Sequence, residues 1–154
     1  MMRHLYLFLS LLCLNAFSQE KIDSTNIYLR SLKLHLAYLE DNYKKSNLSL
    51  PYTVNVEVDE QTTINLPNQI DNFRISYLNK EDIKKLAKKE SIQLIVMRPV
   101  VIFQNSLIIN IIDFNVRFSK NNFNYSNGGG SKIEFIYDCK DDYFKVSNIK
   151  QGGI

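Results

Sequence analysis

Between residues 25 and 45 apolar side chains return every three or four positions, and Tyr28, Leu32, Leu36, Leu39 and Tyr43 share one stripe. That period predicts an amphipathic helix with its stripe turned to a core. Asp23-Ser24 stand where an N-cap is wanted, and Lys44 and Lys45 fall in the last turn, opposing the negative end of the helix dipole. The inner piece 32–36 alternates like a strand, but the longer pattern is helical. His35 flanks the stripe and reads as a packed or half-exposed histidine.

The period then drops to two. Val54, Val56 and Val58 alternate with Asn55 and Glu57, which predicts a half-buried strand. Asp59-Glu60-Gln61 turns the chain into a second short strand over 62–66, closed by Pro67-Asn68, and Phe73, Ile75 and Tyr77 mark a third. Asn79 caps a short helix with Asp82 three residues on. Ile83, Leu86 and Ala87 face inward on it; Lys84, Lys85, Lys88 and Lys89 form either a solvated face or a contact for an envelope polyanion.

Two long apolar segments follow, 92–103 and 106–118, joined at Gln104-Asn105. A two-residue hairpin loop there sets Phe103 opposite Ser106. The same register places Ile95 opposite Phe114, Met97 opposite Ile112 and Val101 opposite Ile108. Pro99 cannot donate to a ladder, so it marks an edge or a bulge. Residues 119–131 are rich in Asn and end in Asn127-Gly128-Gly129-Gly130, which predicts a mobile loop. Its Gly-Gly-Gly-Ser-Lys run lacks the spacing of a phosphate loop and leads into a strand. Ile133, Phe135 and Tyr137 then pair with Asn148, Val146 and Phe144 across a turn at 139–142, leaving residues 151–154 frayed.

The first residues change the picture of where the protein works. Arg3 gives a positive start, residues 5–14 are apolar except Ser10, and Ala16-Phe17-Ser18 supplies small residues before a cut. This is the anatomy of a secretory signal peptide cleaved after Ser18, and the run is too short to span a bilayer. Residues 19–154 then form a single domain, secreted or periplasmic. His4 and Cys13 leave with the leader, so His35 and Cys139 are the last of their kinds. One histidine and one cysteine make neither a Cys/His zinc site nor an internal disulfide, and no metal or cofactor is expected. Asp138, Asp141 and Asp142 crowd the last turn without the spacing of a calcium loop, and Cys139 lies among them as an inert thiol.

The formal charge is +3, or +2 without Arg3, too weak a bias for dedicated nucleic-acid binding. No later apolar stretch is long enough for a membrane span. Long helix, short strands, short helix and four longer antiparallel strands make an α+β fold, the first helix packed on a curved antiparallel sheet. This order is similar to that of cystatin-like and nuclear-transport-factor-like domains. The Gln-Val-Gly loop through which cystatins inhibit proteases has no clear counterpart here.

Chemistry concentrates on one face of the long hairpin, where Arg98, Asp113, Asn115 and Arg117 interrupt aliphatic residues. In the register above, Arg98 is diagonal to Asp113, as an ion pair on a covered sheet or as polar groups lining a ligand pocket. Two functions stay open. One is a non-catalytic exported module that binds a protein or a small envelope ligand. The other is a small-pocket enzyme using Asp113 as acid or base, with Arg98 or Arg117 stabilising negative charge.

Overall fold

Asn26 opens the first helix, α1, which spans Ile27–Lys45; its side-chain oxygen accepts the Leu29 N–H at 3.0 Å. That bond satisfies one of the donors every helix start leaves open. The computed structural model describes residues 26–49, 51–59, 61–63 and 65–152. The cap expected at Asp23-Ser24 is thus replaced by Asn26, and both residues lie outside the described ones. So do the expected leader, 1–18, and its cut after Ser18.

Eight strands among the described residues build one sheet: β1 Thr53–Glu57, β2 Gln69–Ile70, β3 Phe73–Leu78, β4 Ile92–Met97, β5 Val101–Phe103, β6 Ser106–Ser119, β7 Asn122–Asp138 and β8 Tyr143–Gly152. A second helix, α2, spans Lys80–Ala87, capped by Asn79 through the Asp82 N–H at 3.0 Å. The spatial order is β2-β3-β1-β4-β6-β7-β8, with β5 also pairing with β6. The fold is α+β, with helices on a mixed, mostly antiparallel open sheet. The parallel part is β1, which runs alongside both β3 and β4. The chain passes from β3 to β4 through α2, the kind of crossover that parallel strands require. Alternation within single strands carries no information about this direction.

The two helices cover opposite faces. Leu32 and Leu36 of α1 pack with Val56, Ile95, Ile109, Ile111 and Phe135, all buried. Ile83 and Ala87 of α2 pack with Leu94, Val96, Val116 and Phe118 on the other side. Each fully buried Leu, Ile or Phe contributes roughly 1.5–3 kcal/mol, so these two clusters fix which face each strand turns to which helix.

Several expectations are corrected. The described residues among 62–66 form no strand: Asp59 Oδ1 accepts the Gln61 and Thr62 N–H groups, and Thr63 N–H bonds to the Asp59 carbonyl. Those local bonds hold a turn, and the edge pairing passes to Gln69–Ile70. Residues 119–131 are not a loop, because β6 turns at Lys120-Asn121 and β7 pairs along its whole length. The glycines make a bulge: Asp113 pairs with Gly129 and Phe114 with Asn127, so Gly128 is the extra residue. Gly129 takes φ +111°, a region L-side chains rarely adopt.

The third correction concerns register. The hairpin pairs Phe103 with Ser106 and Val101 with Ile108, as expected. Beyond Pro99 the pairing slips by one: Ile95 faces Asp113 and Met97 faces Ile111, in place of Phe114 and Ile112. One extra residue in the 98–100 segment accounts for it, and Tyr28 of α1 accepts the Val100 N–H at 3.0 Å. At the last hairpin Phe135–Val146 and Tyr137–Phe144 pair as expected, but Ile133 faces Ile149 after a second bulge. Gln151 and Gly152 are paired with Ser131 and Gly130 rather than frayed.

Candidate functional site

The slip at Pro99 decides what surrounds Asp113. Turned with Ile95 and Ile111 toward α1, it meets His35 on the helix: Nε2 lies 2.9 Å from Asp113 Oδ1. His35 Nδ1 lies 2.9 Å from Ser131 Oγ on β7. His35 and Ser131 are both 0% exposed, whereas the Asp113 side chain keeps 21% exposure. Three elements far apart in sequence therefore converge on one buried polar chain.

Each member has a local reason to be there. His35 sits three residues after Leu32 and four before Leu39, so the helical period carries it into the buried stripe. Ser131 follows the glycine bulge, where β7 crosses beneath α1. Gly128 lies against Asp113: a Cβ there would stand 3.4 Å from the Asp113 carbonyl oxygen. Asn127 Oδ1 accepts the Gly129 N–H at 2.7 Å and holds the bulge in shape.

Both ring nitrogens of His35 are engaged. Nε2 is bonded to the Asp113 carboxyl and Nδ1 to the Ser131 hydroxyl, which leaves no buried polar atom of His35 unpaired. Ser131 is wholly enclosed and bonded to histidine, and so is not an exposed nucleophile. Asp113 Oδ2 has no hydrogen-bond partner among the described residues.

Asp113 also lines a cavity of about 330 Å³ between the C-terminal half of α1 and the sheet. Leu39, Val54, Phe73 and Ile95 give apolar walls; Asn55, Gln93 and Asn115 add polar groups. Tyr43 donates its hydroxyl to Gln93 Oε1, and Asn55 Nδ2 donates to the Gln93 carbonyl, each at 3.0 Å. Ser91 donates to Asn115 Oδ1 at 3.3 Å. Apolar walls with a few fixed polar groups are the usual composition of a small-molecule site, and the volume is at the small end of the ~300–1,000 Å³ range.

Of the four residues singled out in the sequence, Asp113 and Asn115 line this cavity. Arg98 does not join them: it is exposed, its N–H bonds to the Asn110 carbonyl, and no ion pair with Asp113 forms. Arg117 pairs with Asn124 and is also exposed. The expected Arg98–Asp113 pair is corrected by the one-residue slip. His35 and Ser131 are the residues that the sequence reading missed. Their signal was the helical spacing of His35 from Leu32 and Leu39; nothing in the sequence marks Ser131.

Elsewhere, Lys84 and Lys88 lie 5.2 and 5.4 Å from the Phe118 ring centroid, covering it with their stems and charges. At the last turn Lys145 bridges Asp138 and Asp141. Its hydrogen bond holds the Asp138 carboxyl below its ordinary range, and the two acids raise the Lys145 ammonium in return. Among the described residues no group of three His, Cys, Asp or Glu is placed to hold a metal ion. No described helix is long and apolar enough to cross a membrane. Set beside protein-family models, curated proteins and solved structures, the chain matches none of them significantly.

Proposed function

We propose that this protein is an exported, non-catalytic binding module that takes a small molecule into the cavity beneath α1, with Asp113 as its polar anchor. The observation carrying this reading is the fully buried His35–Ser131 pair behind a partly exposed carboxylate that lines the cavity. Burying polar groups costs free energy unless they are bonded, and even a satisfied network adds little net stability. A chain that ends on a cavity-lining carboxylate fixes that carboxylate's direction, as a preorganised binding group requires. Asn115, two residues along the same strand, supplies a second polar contact on the same face.

The enzymatic alternative asks for a cation beside Asp113 to stabilise developing negative charge. Arg98 and Arg117 are exposed and absent from the cavity lining, which favours binding over that chemistry.

The test is calorimetric titration of fragment-sized ligands into wild-type protein and a Leu39→Trp variant, whose larger ring fills the cavity. Ligands are expected to bind wild type and to lose at least about tenfold in the filled variant, as expected when a buried site is blocked. Equal affinity for both proteins overturns the reading. The export part is checked separately by intact mass, which should begin at Gln19; a mass that includes residues 1–18 contradicts it.

A further inference from the structure

The cavity's charge pattern points to a class of ligand. Resting on the reading above, we infer that the ligand is an organic ammonium ion: a primary amine on a small apolar body. Among the described residues lining the cavity, Asp113 is alone in bearing a formal charge; no lysine or arginine lines it. A carboxylate is acceptor-only, and Oδ2 is the oxygen that His35 leaves without a partner. An ammonium group brings three donors and the opposite charge.

The other polar groups fit the same guest. Asn115 Oδ1 and Gln93 Oε1 are carbonyl acceptors, each with one bond already received and a lone pair to spare. The His35 ring is not free to receive an anion, because both nitrogens are engaged and the ring is fully buried. An anionic guest would meet the carboxylate in a partly desolvated site, where like charges repel more strongly than in water. The body of the ligand follows from the walls: Leu39, Val54, Phe73 and Ile95 match a compact hydrocarbon or single ring. Phe73 and Tyr43 also place aromatic rings in the lining, and aromatic rings attract cations.

The test uses three probes that share a phenyl-ethyl skeleton: 2-phenylethylamine, 2-phenylethanol and 3-phenylpropanoate. Each is titrated calorimetrically at neutral pH and low salt into the wild-type protein, the Leu39→Trp variant and Asp113→Asn. The amine should bind wild type at least about tenfold tighter than the alcohol, the margin of a charge-assisted over a neutral hydrogen bond. The carboxylate should bind weakest. In Asp113→Asn the amine and alcohol affinities should converge. Circular dichroism verifies that this variant is folded; the wild-type ranking stands as evidence if it is not. An alcohol that binds as tightly as the amine overturns the ammonium inference but leaves the cavity reading intact, provided Leu39→Trp weakens both. A folded Asp113→Asn protein that keeps the amine preference also overturns it. If none of the probes binds up to about 10 mM, where affinity is barely measurable, both inference and cavity reading fall.

Discussion

Removing the Ser131 hydroxyl should cost far more than its size suggests. Ser131→Ala deletes one oxygen at a site that is 0% exposed, and the backbone pairing of Ser131 with Ile111 and Gln151 is untouched. What remains is His35 Nδ1, buried and without the partner now 2.9 Å away. A tautomer change does not rescue it, because an unpaired Nδ1–H is as poorly placed as an unpaired lone pair. An orphaned buried polar group costs about 1–3 kcal/mol, and the lost bond is contained in that figure. The second variant, His35→Leu, removes the orphan along with its cause. In the double variant both buried partners are apolar, and Asp113, with its 21% exposure, is left to water in the cavity. The two changes should therefore be non-additive, with a coupling of about 0.5–3 kcal/mol. Urea melts followed by far-ultraviolet circular dichroism read all four corners of the cycle. With a slope of about 1–3 kcal/mol per molar, Ser131→Ala should lower the midpoint by roughly 0.3–3 M. A shift within about 0.5 kcal/mol of wild type, the range of an ordinary surface change, would refute the buried chain. Strict additivity would refute it equally.

Further outcomes follow from other parts of the molecule. Arg98→Met and Asp113→Asn share no partner, so their effects in denaturant melts should add within about 0.5 kcal/mol; a larger coupling would restore the register without the slip. Gly129→Ala forces a side chain at φ +111° and should cost about 1–3 kcal/mol, whereas Gly128→Ala, whose Cβ stands at ordinary contact distance, should cost less. Equal losses would mean that the bulge is not built as described. Asp138 is held below the usual carboxylate range by Lys145, so the unfolded chain takes up that proton first. Stability from this pair is present above the ordinary Asp value of about 4 and is lost as pH falls through the lowered folded value. Melting temperatures recorded on acidification should fall less steeply for Lys145→Met than for wild type. Parallel curves would show that the pair contributes nothing.

Much of the fold is legible because it is local. The α1 stripe, the Asn79 cap with its inward Ile83 and Ala87, and the Phe103–Ser106 hairpin each depend on residues within one or two turns of one another. What failed was non-local or one residue wide. Pro99 announces a bulge, yet the sequence does not say which strand gains a residue, and that single residue exchanges Phe114 for Asp113 opposite Ile95. A slip of one turns every side chain to the other face. It therefore removed Arg98 from the candidate site and gave Asp113 to α1. The glycines at 128–130 look like a mobile loop because their flexibility is a property of the chain, whereas the pairing that orders them belongs to β6. The parallel placement of β1 is invisible for the same reason. Asp113 and Asn115 were legible as polar residues interrupting an apolar strand. His35 was legible as part of a helix face, but its buried bond to a serine 96 positions away was not.

Ligand entry into the cavity beneath α1, with Asp113 at its floor, is open to direct observation. Heteronuclear NMR on the protein, titrated with 2-phenylethylamine, tests it most directly by following side-chain amide signals of Asn55, Gln93 and Asn115 together with the His35 ring nitrogens. Binding should produce saturable shifts in those three amides, all of which line the cavity, and a matching perturbation at His35 Nε2, which is bonded to Asp113. The lysine-rich surface of α2, on the opposite face of the sheet, should stay still. Shifts confined to that surface or to the Asp138–Asp142 turn, with the three amides and His35 unmoved, would rule out the cavity as the ligand site.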